Sequence, residues 1–174
     1  MGDNRPMKLA LAKAALVFLF LASPRTALAE SYPIPMDKVA ATISVPDSWN
    51  PNSSDLGLDA VSPDNKLFFS IYIAADEDEK GALRGAATIA ANGDVMKIDL
   101  DSVKEATVRI GKIMTSEYAF AMSIDGRPGT LAINLAPLKT GGYLQIIRWG
   151  DIQSAGQNAS GVNRIFNTLK LTGK

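Results

Sequence analysis

Apolar and polar residues alternate along most of the chain after residue 38, and this pattern predicts β-strands. In the first half, strands are expected at 39–45, 56–61 and 66–73. In the second half they are expected at 106–110, 114–124, 130–136 and 143–149. The last three of these are joined by turn-like segments, 125–129 and 139–142. Because short turns join antiparallel neighbours, the second series predicts an antiparallel meander.

Two segments have the spacing of amphipathic helices instead. The first is expected to start at a capping Asp76, with Glu79 completing a capping box, and to end at Asn92-Gly93. The second is expected to start at a capping Asp151. Its apolar stripe, which should lie on the sheet, consists of Ile152, Ala155, Ala159, Val162, Phe166 and Leu169. The order strands, helix, meander, helix predicts an α+β fold with an antiparallel sheet flanked by helices.

The N-terminus has the three parts of a cleavable signal peptide, residues 1–29. Basic residues precede an apolar run of nine residues, 14–22, and Ala27-Leu28-Ala29 offers small side chains to a signal peptidase. A nine-residue helix is only about 13 Å long, whereas the hydrocarbon core of a membrane is about 30 Å thick. Cleavage is therefore expected between Ala29 and Glu30, with release of the protein to the periplasm or the exterior.

Residues 30–174 have the length of a single domain and contain no further run long enough to span a membrane. The formal charge is 0 for the whole chain and +3 for the signal peptide, which leaves −3 for the mature protein. This mild acidity, without a basic run, argues against nucleic acid as a partner.

The composition excludes much catalytic chemistry. The chain has no His and no Cys, so Ser-His-Asp and Cys-His arrangements and zinc sites built on imidazole or thiolate are impossible. The densest carboxylates, residues 76–79, suit a solvated helix N-terminus. A calcium loop starting at Asp76 fails because Lys80 and Ala87 occupy ligand positions. No catalytic, cofactor-binding or metal-binding residue is predicted.

Three side chains are candidates for a partner surface. Phe68 and Tyr72 lie opposite the aliphatic face of their strand, and Arg148 lies in the last strand of the meander. If a helix covers each face of the sheet, these side chains belong to the core. If one face is open, they form an exposed patch. Trp49, directly after a strand end, is interpreted as a loop anchor.

Two short segments carry a resemblance to a known family. The segment 43–49 (ISVPDSW), and the turn 62–65 (SPDN) entering an apolar strand, resemble the opening of PsbP-like domains. Their fold is shared with DcrB-type bacterial envelope proteins and with a Ran-binding nuclear import factor. The resemblance implies an α/β/α sandwich and a non-enzymatic role in docking onto or assembling a larger complex. It carries over no set of binding residues, because the shared motifs are turns.

Three functional hypotheses remain open. The first is an exported binding or assembly module that acts on another envelope protein. The second is a glycoside hydrolase with paired carboxylates, acting on envelope polysaccharide. The third is a carrier that holds a small apolar ligand between sheet and helix.

Overall fold

The structure is a computed structural model, and it describes residues 29–35, 39–76, 78–91 and 96–172. The predicted signal peptide, apart from Ala29, lies outside these ranges. The strands are β1 Ala29–Pro35, β2 Val39–Pro46, β3 Asn52–Ser54, β4 Gly57–Val61, β5 Leu67–Ala74, β6 Met96–Ile110, β7 Ile113–Ile124, β8 Arg127–Pro137, β9 Tyr143–Asp151 and β10 Lys170–Leu171. The helices are α1 Glu79–Ala91 and α2 Ile152–Phe166.

The strands form two antiparallel sheets. The larger has seven strands in the order β3-β4-β5-β9-β8-β7-β6, and the smaller has three in the order β1-β2-β10. The predicted meander is confirmed, since β6 to β9 are consecutive neighbours. Asp125 and Gly126 connect β7 to β8 with φ angles of 51° and 75°, the left-handed pair that a two-residue hairpin turn requires. The α+β class is confirmed.

The smaller sheet was not predicted. No strand was predicted before residue 39, but β1 pairs along its length with β2. The expected cleavage point lies at its start, where Ala29 pairs with Pro46 and Glu30 pairs with Val45. Strand β1 was not predicted because it contains two prolines. Proline lowers strand propensity and is tolerated only in the edge strands of a sheet.

Strand β6 begins ten residues earlier than predicted. Asp99 pairs with Ala121 and Lys104 pairs with Ala119, so residues 100–103 bulge out opposite a single residue of β7. Two apolar side chains of the bulge, Leu100 and Val103, are exposed at 67% and 40%. The bulge interrupts the alternation that would have marked one long strand.

Helix α1 covers one face of the large sheet, which we call the α1 face. Its buried residues Ala82, Ala86 and Ala90 allow the helix to lie close to the sheet. Beneath it, the strands contribute larger apolar side chains: Phe120, Met122, Leu131, Ile133, Leu135 and Ile147. This face is therefore closed by small residues on the helix and large residues on the sheet.

The start of α1 differs from the prediction in two details. The carboxylate of Asp78, not Asp76, accepts a hydrogen bond from the amide of Gly81 at 2.7 Å. The Glu79 carboxylate, expected to complete a capping box, instead accepts a hydrogen bond from the Tyr118 hydroxyl at 3.1 Å. The predicted stop at Asn92-Gly93 lies outside the described residues.

Helix α2 and the smaller sheet share the opposite face, which we call the α2 face. The helix contributes Val162, Ile165 and Phe166 to a core shared with β2, β4, β5 and β9. Trp49 joins this core at 5% exposure, 5.8 Å from the ring of Phe69, as expected of a loop anchor. Within the described ranges, no helix is both long enough and apolar enough to cross a bilayer.

Candidate functional site

The N-terminus of α2 is fixed by two carboxylates. Asp151 caps the helix as predicted, because its carboxylate accepts hydrogen bonds from the amides of Gln153 at 2.8 Å and Ser154 at 3.0 Å. The Ser154 hydroxyl donates to Asp64, in the turn between β4 and β5, at 2.7 Å. This hydrogen bond and that from Ser62 are the main causes that lower the pKa of Asp64 to about 2. The helix is thereby anchored to the β4–β5 turn.

Four of the six residues of the predicted α2 stripe pack on the core. Val162, Phe166 and Leu169 are buried as expected, and the partly buried Ala155 packs against the same core. Ile152 is 57% exposed, and Ala159 is exposed as well. The reason is the position of the helix: its main contacts are with β2, β5, β8 and β9. Ile152 and Ala159 therefore lie over the outer strands β7 and β8 without being covered by them.

The space beneath this part of the helix is an open groove, which we call the α2 groove. It has three neighbouring parts of about 450, 270 and 460 Å³, in order from the N-terminus of α2 to its C-terminus, and adjacent parts share lining residues. On the helix side it is lined by Ile152, Ala155, Ala159, Asn163, Phe166 and Asn167. On the sheet side it is lined by residues that include Lys104, Arg109, Glu117, Ala119, Thr130, Ala132 and Arg148.

Small side chains form the floor of the groove. Ala119 of β7 pairs with Ala132 of β8, and Ala121 pairs with Thr130. On the other side of β8, Ala132 pairs with Arg148 of β9. Because successive residues point to opposite faces, these same strands place their large apolar residues on the α1 face. The groove thus arises because β7 and β8 place small side chains on the α2 face and large apolar side chains on the α1 face.

A polar network lies at the centre of the groove. The Nη2 atom of Arg148 donates to the Glu117 carboxylate at 2.7 Å and to Asn134 Oδ1 at 3.1 Å. The Asn134 amide nitrogen donates to Glu117 at 3.1 Å and to the Thr115 hydroxyl at 3.2 Å. The Arg148 side chain crosses β8 to reach β7, which the small Ala132 beside it permits.

Arg148 keeps unused donors. Its side chain is 27% exposed, and its guanidinium lies 5.8 Å from the centre of the Phe166 ring. Burial lowers the pKa of Arg148, and Glu117 opposes this shift, so the group stays charged. In the described part of the chain, Nε is buried without a hydrogen-bond partner, and both hydrogen bonds of the guanidinium come from Nη2. The Nη1 donor therefore remains available to a ligand.

The charges beside the groove nearly balance. Lys104 and Arg148 point to the α2 face, as does the carboxylate of Glu117. Asp99 pairs with Ala121 of the groove floor and so points to the same face. Arg109 lies between Val108 and Ile110, which pack on the α2-face core, and therefore points to the opposite face.

The three residues predicted as a partner surface do not lie together. Phe68 stacks on Trp149, with ring centroids 5.5 Å apart and planes 9° from parallel. Tyr72 also lies on the α1 face, where burial and a 2.5 Å hydrogen bond to Asp59 raise its pKa to about 12. Arg148 pairs with Phe69, not Phe68, and so points to the α2 face. The three side chains cannot form one patch, and only Arg148 belongs to the α2 groove.

Sequence reasoning missed Glu117 and the groove floor. The signal was present in the alternation of β7 and β8. On one face of each strand the side chains are small, and a few of them can form hydrogen bonds. This composition is unusual for a face that a helix is expected to cover. What the sequence does not show is the lateral position of α2, which decides whether those residues are covered.

The acidic segment forms no metal site in the described residues, and the described lining of the α2 groove holds no carboxylate pair. No group of three or more Asp or Glu side chains there could hold a metal ion. In the groove, Glu117 faces Arg148 and not a second carboxylate. The geometry of a glycosidase is therefore not assembled in the α2 groove.

Comparisons with known proteins show the fold. No protein-family model and no curated protein sequence matches the chain. Among solved structures, it is similar to the PsbP protein of the cyanobacterium Synechocystis, with 8% identity, a TM-score of 0.55, and coverage of 86% of this chain and 95% of that one. It is also similar to LpqN of Mycobacterium tuberculosis, with 14% identity, a TM-score of 0.51, and coverage of 83% and 92%.

A third similar structure is a protein of Bacteroides thetaiotaomicron, with 14% identity and a TM-score of 0.51. The match covers 83% of this chain but only 49% of that one. At these identities the likeness concerns the fold alone. The expected resemblance is confirmed at this level: the chain has the PsbP-like fold.

Proposed function

We propose that this protein is an exported, non-enzymatic binding module that docks onto another envelope protein through the α2 groove. The observation that carries the proposal is the uncovered part of the α2 face. A groove runs beside the whole of α2, with small side chains on its floor and a charged pair at its centre. Open concave surfaces with few, well-placed polar groups are typical of binding sites.

Export rests on the N-terminal leader and is supported by one comparison. LpqN, which is similar in fold, is involved in cell envelope biogenesis of Mycobacterium tuberculosis. A PsbP-like module that is exported across the membrane would be in the compartment where proteins of the cell envelope are accessible to it. Residues 30–174 would then form one domain that functions outside the cytoplasm.

The groove suits a protein partner better than the two alternative functions. A hydrolase would need a second carboxylate facing Glu117, whereas Glu117 is paired with Arg148 on the same sheet face. A carrier of small apolar ligands would need an enclosed apolar chamber. The α2 groove instead is open along its length and has Arg148, Glu117 and Asn134 at its base.

Photo-crosslinking in living cells tests the proposal. A photoreactive amino acid replaces Ala159 or Lys104, on the two sides of the groove, or Ile89 as the control. Ile89 is 40% exposed on α1 and so is accessible from the opposite side of the molecule. We expect positions 159 and 104 to give the same discrete adduct with one envelope protein, and position 89 to give none. Adducts at position 89 alone, or at no position, would refute the groove as the docking surface.

A further inference from the structure

The bond at which the leader is expected to be cleaved lies inside a β-strand. This bond, between Ala29 and Glu30, we call the junction. Strand β1 begins at Ala29, and its first two residues pair with Pro46 and Val45 of β2. The side chains of Ala29 and Glu30 are exposed, so hydrogen bonding of the backbone, and not burial, decides whether a protease can reach the junction.

The orientation of β2 shows which backbone groups of β1 are hydrogen-bonded. The amide of Ser44 donates to the Thr168 hydroxyl at 2.8 Å, so it points away from β1. Because this orientation alternates along a strand, Val45 faces β1 and exchanges two hydrogen bonds with Glu30. The same alternation places Pro46, which has no amide hydrogen, at a position that needs none. The nitrogen atom of the junction is therefore a hydrogen-bond donor to β2 in the folded protein.

Side chains hold the rest of β1 in place. The Tyr32 hydroxyl donates to the Glu30 carboxylate at 3.2 Å, and the Tyr32 side chain packs against the α2-face core. Ile34 lies within this core at 0% exposure. A protease must bind the residues around the bond in its own cleft, and in a folded protein such a segment has to detach first. Detachment of β1 would break its ladder with β2 and expose Ile34.

Strand β2 is itself held by the last part of the chain. Strand β10 pairs with β2 on the side opposite β1, and the Thr168 hydroxyl is hydrogen-bonded to both backbone groups of Ser44. The apolar residues of β1 and β2 pack in one core with those of α2 and with Leu169. An isolated two-stranded hairpin is only marginally stable in water. The β1–β2 pair therefore becomes stable only once α2 and β10 have joined it.

We infer that folding closes the cleavage site: a signal peptidase can cut the junction only before β1 docks on β2, and a precursor that folds first keeps its leader. Cleavage adds one water molecule across the bond and leaves a carboxylate on Ala29 and an amino group on Glu30. In a chain exported leader first, the junction crosses the membrane before α2 and β10, so it is cut while β1 is still unpaired. This inference rests on the proposed export and adds the order of cleavage and folding.

Cleavage of two folded precursors by a purified signal peptidase tests the inference. One is the chain from Met1 to Lys174. The other, the linker variant, has about six additional Gly and Ser residues between Glu30 and Ser31, which move the unchanged junction out of the ladder on a flexible segment. Both are folded before the peptidase is added, and equal urea midpoints show that the fold is kept.

We expect the linker variant to be cleaved at least about tenfold faster, because its junction is accessible without the opening of β1. Equal rates would overturn the inference, as would the absence of cleavage in both precursors.

Amide hydrogen exchange in the folded precursor gives a test that needs no variant. The amides of Glu30 and Val45 face each other in the ladder, whereas the amide of Ser31 points to the free edge of β1. We expect the first two to be protected and the amide of Ser31 to exchange freely. Exchange at Glu30 as fast as at Ser31 would show that the junction is open in the folded protein and would contradict the inference.

The two proposals fail separately when the N-terminus of the protein made in cells is sequenced. If it starts at Glu30 but the folded precursor is cut as fast as the linker variant, export stands and the order of cleavage and folding is wrong. If the folded precursor resists cleavage but the protein in cells keeps its leader, the inference stands and the proposed export is wrong. An N-terminus before Ala29 would place cleavage outside the ladder and contradict the inference.

Discussion

The two faces of the large sheet are closed in different ways. On the α1 face, a helix with Ala82, Ala86 and Ala90 lies centrally over large apolar side chains. On the α2 face, the helix shares the surface with the smaller sheet and lies towards β5 and β9. The same strands, β7 and β8, thus contribute to a closed core on one side and to an open groove on the other. Asymmetric coverage of one sheet leaves an open groove on one face and a closed core on the other, and this groove is the docking surface that we propose.

The largest expected difference between the faces comes from one substitution made on both helices. Ala86→Leu adds three carbon atoms where the side chain is 0% exposed, and we expect a loss of about 1–3 kcal/mol in the free energy of unfolding from overpacking. Ala159→Leu adds the same atoms beside the α2 groove, where we expect a change within about 0.5 kcal/mol. Urea unfolding of the two variants measures both.

This pair also separates stability from binding. Ala159→Leu narrows the groove, so we expect it to weaken binding of the partner while the fold is kept. If Ala159→Leu destabilised the protein as much as Ala86→Leu, the groove would be a packed interface, and the contrast between the faces would be wrong.

A smaller difference concerns how α2 is anchored. The folded-state pKa of Asp64, about 2, lies below the unfolded value of about 3.9. Its contribution to stability is therefore complete above about pH 4 and is lost as the pH falls to about 2. Because Asp64 is exposed, solvent screening limits this contribution to about 1 kcal/mol.

Asp64→Asn should therefore lower stability by about 1 kcal/mol at neutral pH and remove this part of the acid dependence. Asp55→Asn, at another exposed turn residue, is the control and should leave stability and its pH profile as in the wild type. Urea midpoints measured from neutral pH down to about pH 2 give the comparison. An unchanged acid profile in Asp64→Asn would show that the anchor to Ser154 contributes nothing.

Most of the fold was predictable because its signals are local. Alternation located the core strands, turn residues such as Asp125-Gly126 located the meander connections, and Asp151 marked the start of α2. The smaller sheet was not predictable, because its pairings join distant segments and β10 has only two residues.

The candidate site was predictable only in part. Arg148 was singled out, but its partner Glu117 lies 31 residues away and reaches it only through the register of three strands. Phe68 and Tyr72 were grouped with Arg148 because the relative register of β5 and β9 is not encoded locally. The lateral shift of α2, which opens the groove, depends on packing against the smaller sheet, and no local pattern reports it.

A map of the partner contact on the folded protein would decide whether the α2 groove is the docking surface. Once crosslinking has identified the partner, it is added to the isotope-labelled protein and the amide NMR shifts are compared before and after. We expect the perturbed amides to cluster around Ala119, Ala132 and Ala159, along the α2 groove. Perturbations confined to α1 and to the strands around Phe68 would show that the partner docks on the other face.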